Sequence, residues 1–313
     1  MLTGVGVHDG RGNMGIGFNP AEVVGRLQAN MFGHITGVVN DVPWEQIAAD
    51  IGTIGSEARP IVIQRGLGSL TEHYDQLRDL LKGMGFEVHV VDLQQHGLAS
   101  IKSDAKQLAA AIDKISAAAR AVGQDGKVTL VGHSKGGISS RWYLQRMNGI
   151  DNVAQLITLG TPHNGSAPMG HSLVARLAGK FSAYPGMRDI TAHSPVVQGL
   201  NRDLQGFVDS AAITHPDFRM VSIAGDLGSG LFRGQDGLVS VGNARLRAAG
   251  ANVHNLVVTD GGANHFGIAA NIGVHEPTMH LFAPLAAGGE APSQVAVTNA
   301  VNGIRNLRGG VAA

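Results

Sequence analysis

Gly132-His133-Ser134-Lys135-Gly136 places a serine between two glycines in the spacing G-x-S-x-G. That spacing suits a nucleophile held on a sharp, strained turn from strand to helix, where side chains at the glycine positions would collide with neighbouring chain. In a chain with 45 glycines the bare pattern arises readily by chance, so its context decides. The apolar run Val128-Thr129-Leu130-Val131 leads directly into it, and a helical stretch opening with a further glycine, Gly137, follows. A serine hydroxyl attacks well only when a base takes its proton and a carboxylate orients that base. The chemistry expected is nucleophilic, and the rest of the chain must supply a histidine and an acid.

Other chemistries have less support. Gly10-Arg11-Gly12-Asn13-Met14-Gly15 satisfies G-x-G-x-x-G, but the segment before it carries His8 and Asp9, and no acidic residue closes a second strand about 20 residues later, as a dinucleotide site requires. Neither an H-E-x-x-H helix nor a calcium loop occurs, and no cysteine is present, so no metal site and no cofactor are implied.

The elements around the serine alternate. Ile61-Val62-Ile63 reads as a strand ending in Arg65-Gly66-Leu67-Gly68. Leu70, Tyr74, Leu77, Leu80, Leu81 and Met84 then recur at helical spacing. Val88–Val91 is the next strand, and Ser103 or Asp104 is expected to cap a helix bearing Leu108, Ile112, Ile115 and Ala119, stopped at Gly123. Strands follow at Val128–Val131, Val153–Leu159, Met220–Ala224 and Asn255–Thr259, with a helix over Gly136–Met147. Such alternation predicts a mostly parallel, doubly wound sheet. It breaks between Pro162 and Pro216, where Leu173, Val174, Leu177, Phe181, Val196, Val197, Leu200 and Leu204 keep helical spacing without a strand. An insertion of that length predicts a helical cap at about 163–217, its apolar faces turned toward the site. Residues 1–58 read as a Gly-rich extension packed on the core, with one or two edge strands and a helix over Ala21–Met31; residues 59–313 form the main domain.

The string Val131–Gly137, followed by Leu156-Ile157-Thr158-Leu159-Gly160-Thr161-Pro162-His163-Asn164-Gly165-Ser166, resembles bacterial lipases and esterases of the α/β-hydrolase superfamily. The resemblance runs from about Pro60 to about Ile272, and Ser194–Asn201 is similar to a cap-region string of such lipases. It implies the α/β-hydrolase fold and the chain order serine, acid, histidine. Asp226 and Asp236 are then the acids to weigh. Gln235-Asp236-Gly237-Leu238-Val239 is similar to the D-G-x-V string that carries the acid in many lipases, which favours Asp236. Among His254, His265, His275 and His280, the resemblance favours His265, a few residues past the last strand. The oxyanion donors would be the backbone N–H groups of Leu67 and Lys135. Here the chain departs from the family: lipases of this kind show His-Gly before the first donor, and this one has Arg65-Gly66. The donor is backbone, so the hole itself survives the change, and the hydrogen bonding of its loop is the part left open. The implied function is cleavage of carboxylic esters through an acyl-enzyme. An acyltransferase or amidase on the same triad, or a non-catalytic binding protein of the same fold, are the alternatives.

Composition agrees with a globular hydrolase. The 313 residues are 43% hydrophobic and 15% charged, enough apolar material for a core and too little charge for a solvating chain. Net charge is zero, which gives no reason to expect a nucleic acid as partner. A small-molecule or lipid ester is the expected partner, and the apolar cap favours an acyl chain of some length. No run approaches the ~18 apolar residues of a membrane span, and the first residues lack the basic and apolar regions of a signal peptide, so a soluble protein is expected.

Overall fold

The computed structural model describes residues 7–8, 14–15, 59–83, 86–166, 184–228, 233–258 and 263–271. Two short strands, β1 (Val7–His8) and β2 (Met14–Gly15), pair antiparallel with each other. They form a sheet of their own and are not edge strands of the main one. The helix expected over Ala21–Met31 lies outside the described residues.

Six strands make the main sheet: β3 (Ile61–Gln64), β4 (Val88–Val90), β5 (Val128–His133), β6 (Val153–Leu159), β7 (Arg219–Gly225) and β8 (Val253–Val258). Their order is β4-β3-β5-β6-β7-β8, and every neighbouring pair is parallel. Parallel pairing needs crossovers, and helices supply them: α1 (Asp75–Gly83), α2 (Ile101–Ala121), α3 (Lys135–Arg146), α4 (Pro185–Asp189), α5 (Pro195–Arg202), α6 (Leu204–Thr214) and α7 (Val241–Ala244); α8 (Gly267–Asn271) follows the last strand.

Strands covered on both faces are apolar at most positions, and β3, β5 and β6 are buried along their whole length. Side chains alternate in direction along a strand, so Ile61, Ile63, Val131, Ile157, Val221 and Ile223 pack on one face with Leu77 and Leu81 of α1 and Ile268 of α8. Val62, Leu130, Leu156 and Met220 pack on the other face with Leu108 and Ile112 of α2, Leu144 of α3 and Val208 of α6.

The cap of α2 differs from expectation. Its N-cap is Ser100, whose hydroxyl accepts from the Ser103 N–H at 3.2 Å. The helix starts earlier than Ser103 because Ile101, Asp104, Ala105 and Leu108 already form one buried stripe.

In the stretch between β6 and β7, α5 is capped by Ser194 with Pro195 at its first position. Its Val196, Val197 and Leu200 pack against Ile101 and Ile138. Leu204 joins Val208, Ala211, Phe218 and Met220. Leu200 and Leu204 therefore do not turn toward the site as expected; the gaps beside α2, α3 and the sheet consume their apolar surface. Leu173, Val174, Leu177 and Phe181 lie outside the described residues.

The strand order reverses between β3 and β5: the chain moves from β3 to β4 on one side and returns to β5 on the other. At such a switch point, loops leaving the carboxyl ends of two adjacent strands run to opposite faces and open a crevice. The loops there are residues 65–70 after β3 and the serine turn after β5.

Candidate active site

Ser134 links β5 directly to α3 with φ 53° and ψ −126°, a conformation side chains rarely adopt. A non-glycine residue there costs on the order of 1–3 kcal/mol, which the surrounding packing must offset. The flanking glycines make the turn possible. A Cβ on Gly132 would lie 2.6 Å from Gly137 Cα, and one on Gly136 would lie 2.2 Å from the Gln64 carbonyl oxygen.

The His265 ring reaches the serine. Its Nε2 is 2.9 Å from Ser134 Oγ and its Nδ1 is 2.8 Å from Asp236 Oδ2. His265 and Asp236 are both buried. The loops carrying them are also tied through main chain, since His265 N–H donates to the Asp236 carbonyl at 2.8 Å. The other oxygen of Asp236, Oδ1, accepts from the N–H groups of Leu238 (2.9 Å) and Val239 (2.7 Å), so the carboxylate is fixed in rotation. With Oδ2 an acceptor, His265 Nδ1 carries its proton and Nε2 offers a lone pair to the serine hydroxyl.

Asp226 serves its own turn. Its Oδ1 accepts from Gly228 N–H (2.8 Å) and Gly234 N–H (2.7 Å), and these bonds lower its pKa. His254 lies on β8, exposed. His275 and His280 lie outside the described residues.

The loop after β3 passes against the serine: a Cβ on Gly66 would be 3.1 Å from Ser134 Cβ. Arg65 stands where the resemblance expects a histidine, and its guanidinium holds this loop. Nε donates to the Val91 carbonyl at 2.8 Å, Nη1 to the Ser69 carbonyl, and Nη2 to Asp92 Oδ1 at 2.7 Å and the Leu93 carbonyl at 3.4 Å. The Gly66 carbonyl accepts from Ser69 Oγ at 2.9 Å. In a planar trans peptide the Leu67 N–H points opposite to that carbonyl. Lys135 opens α3, where an N–H has no partner within the helix. Its side chain leaves the site and is buried in an ion pair with Asp104.

Beyond the serine, Arg141 is fully buried and binds the Leu200 carbonyl and Asn201 Oδ1, each at 3.0 Å. Asn201 Nδ2 donates to the His163 carbonyl at 2.9 Å. These contacts join the strings Leu156–Ser166 and Ser194–Asn201, which also carried the resemblance, into one support.

Two residues at the site escaped sequence reasoning. His133 read only as a variable position of the turn and Tyr74 only as part of an apolar helix face. Tyr74 Oη lies 2.7 Å from His133 Nδ1, and His133 Nε2 lies 2.8 Å from the His265 carbonyl. Burial, with His265 alongside, pushes the His133 pKa down to about 3.

Comparison with solved structures decides the fold. Bacillus licheniformis lipase BlEst2 in its propeptide form superposes with a TM-score of 0.53 at 23% identity, covering 77% of this chain and 53% of that one. Aspergillus fumigatus lipase B superposes with a TM-score of 0.51 at 17% identity, covering 82% and 62%. The chain has the α/β-hydrolase fold. Residues 60–206 match the palmitoyl protein thioesterase family. A triacylglycerol lipase of Burkholderia plantarii is 32% identical over 133 residues, 38% of this chain and 33% of that lipase. One from Pseudarthrobacter phenanthrenivorans is 32% identical over 127 residues, 36% of each. The chain thus spans about a third of the length of the curated relatives it matches, and those relatives are triacylglycerol lipases. Among its described residues no three histidine or acidic side chains cluster to hold a metal, and no helix is long and apolar enough to cross a membrane.

Proposed function

We propose that the chain hydrolyses carboxylic esters as a lipase or esterase, through an acyl-enzyme on Ser134. The observation that carries this reading is the chain of hydrogen bonds from Ser134 Oγ through the His265 ring to Asp236, set on a strained turn between strand and helix. The kinship with lipases supports it independently.

The Ser134 hydroxyl proton passes to His265 Nε2 as Oγ bonds to the ester carbonyl carbon. Asp236 holds the imidazolium that forms. The carbonyl oxygen becomes an oxyanion, stabilised by the N–H groups of Leu67 and Lys135, each worth about 2.7–4 kcal/mol by comparison with other hydrolases. The intermediate then collapses: the bond to the alcohol oxygen breaks, and the alcohol leaves with the proton from His265. Water, deprotonated by His265, attacks the acyl-serine; the acid departs and Ser134 regains its proton. No cofactor enters. The same reading makes 59–313 the hydrolase domain, 163–217 its cap and an acyl chain of some length the group the cap receives.

A p-nitrophenyl ester series of increasing acyl length, run beside an amide and a thioester of the same acyl group, tests the assignment. Ester turnover that exceeds amide turnover and vanishes in Ser134→Ala is expected, apart from a residue of ~10³–10⁴-fold over water from binding and the oxyanion donors. Wild-type rates in Ser134→Ala would sink it. The family match at residues 60–206 is the reason for the thioester arm; thioester turnover well above ester turnover would move the substrate class.

A further inference from the structure

Three separate segments meet behind Ser134 through two side chains that the mechanism above does not use. Tyr74 precedes α1, His133 ends β5, and His265 follows β8. The His265 carbonyl can only accept, so His133 Nε2 must carry the proton and its Nδ1 must be a bare acceptor. The Tyr74 hydroxyl therefore donates to Nδ1. The same Tyr74 oxygen accepts the Gly66 N–H at 3.0 Å. One line of bonds thus runs from the peptide just before the Leu67 donor, through Tyr74 and His133, to the main chain of His265. The Tyr74 and His133 rings also meet edge to face, with centroids 5.7 Å apart.

Simple packing does not account for this arrangement. Tyr74 lies among Ile61, Leu77 and Leu81, where phenylalanine would fill the space without burying a hydroxyl. Burying a hydroxyl and an imidazole costs free energy unless every polar atom is paired, and here each one is. Apart from Ser69, whose Oγ lies 3.4 Å from the Tyr74 oxygen, the partners adjoin groups assigned to the chemistry: Gly66 adjoins Leu67, His133 adjoins Ser134, and the accepting carbonyl belongs to His265 itself.

We infer that Tyr74 and His133 are positioning residues, which hold the oxyanion loop and the base in register with Ser134. This rests on the ester-hydrolase reading above. Without the bridge, the Gly66 peptide loses its acceptor and the loop can drift from where the oxyanion forms. Displacement of that order is costly, since misplacement by about 1 Å can lower a rate about 10²-fold.

The test uses Tyr74→Phe and His133→Phe, each counted by the end-point stoichiometry of organophosphonate labelling, so that only folded sites enter the rate. Tyr74→Phe is expected to lower kcat by about 10- to 100-fold with KM little changed. The inhibition constant of an alkyl boronic acid, a mimic of the tetrahedral intermediate, should rise by a similar factor. The double variant should be no worse than the poorer single one, because the two side chains act as a unit. Tyr74→Phe with wild-type kcat and boronate affinity would overturn the inference. So would a fall in labelled sites with kcat per site unchanged, which would mean packing alone. If His133→Phe does not fold, Tyr74→Phe alone decides. A wild-type protein that neither labels nor turns over esters would instead reject the proposed function.

Discussion

Gly160 faces the acid–base pair: a Cβ built on it would lie 2.9 Å from Asp236 Oδ2 and 3.1 Å from His265 Nδ1. The residue just after β6 therefore leaves open the space in which the carboxylate meets the imidazole. Its φ of +52° adds a second reason for glycine, since a left-handed residue with a side chain costs about 1–2 kcal/mol. Gly160→Ala should push the His265 ring off Asp236, and kcat should fall at least tenfold with KM nearly unchanged. Steady-state kinetics on a short-chain ester check this; equal losses in both parameters would place the damage in substrate binding instead.

Arg65 predicts a contrast between two partners of one ion pair. Its side chain is 1% exposed, whereas that of Asp92 is 87% exposed. An exposed carboxylate contributes little, about 0–1 kcal/mol. The Val91, Ser69 and Leu93 carbonyls all accept from the fork of the guanidinium, which lysine cannot reproduce. Arg65→Lys should thus lower Tm by several degrees and kcat with it, while Asp92→Asn should leave both close to wild type. Similar Tm losses in the two variants would refute this division.

What was legible in the chain was whatever has a short period. Six runs became six strands within a few residues; the central ones are plain because a strand covered on both faces is mostly apolar, whereas the edge strand β8 carries an exposed His254. Ser134 was legible from its glycines, which the turn requires. The missing parts depend on residues distant in sequence. Asp104 looked like a helix cap, yet it lies inside the first buried turn and pairs with Lys135, 31 residues on. Arg65 looked like a departure from the family pattern, and only the carbonyls at the end of β4 show what it does. Tyr74 and His133 are 59 residues apart, and nothing local marks a tyrosine on an apolar stripe as a hydrogen-bond donor.

Acid should weaken the fold through its buried histidines. His133 is held neutral by burial and by His265, with its pKa down to about 3; His163 is pushed well below its ordinary value by burial and by Arg141. In the unfolded chain both titrate near 6.5. The stability they contribute is therefore complete above about pH 6.5 and is lost as pH falls toward 3, by at most about 1.4 kcal/mol per pH unit for each histidine. Urea midpoints measured from pH 7 to pH 4.5 should decline, and His163→Asn should decline less steeply. An unchanged slope in that variant would remove His163 from the account.

Asp236 and Asp226 provide the most discriminating pair of substitutions, because asparagine keeps the shape of aspartate while replacing one acceptor with a donor. In Asp236→Asn, the N–H groups of Leu238 and Val239 still need an acceptor, so the amide oxygen must stay at the Oδ1 position. The NH2 group is then forced onto His265 Nδ1, donor against donor. The ring relieves this by moving its proton to Nε2, where it faces Ser134 Oγ and can no longer accept the hydroxyl proton. Flipping the amide offers no escape, since NH2 would then confront two backbone N–H groups. The fold should survive, and kcat should fall by about 10⁴, the loss that this tautomer change produces in a well-studied serine protease. In Asp226→Asn, the amide oxygen can keep both turn bonds, to Gly228 and Gly234, and what the turn loses is confined to its contact with the Gln235 N–H. Rates within a fewfold of wild type are expected there, because the bonds of Asp226 stay within its own turn and none reaches Ser134 or His265. The decisive result is the ratio of the two variants under one assay. Comparable losses would show that the orienting charge on His265 is not supplied by Asp236 alone.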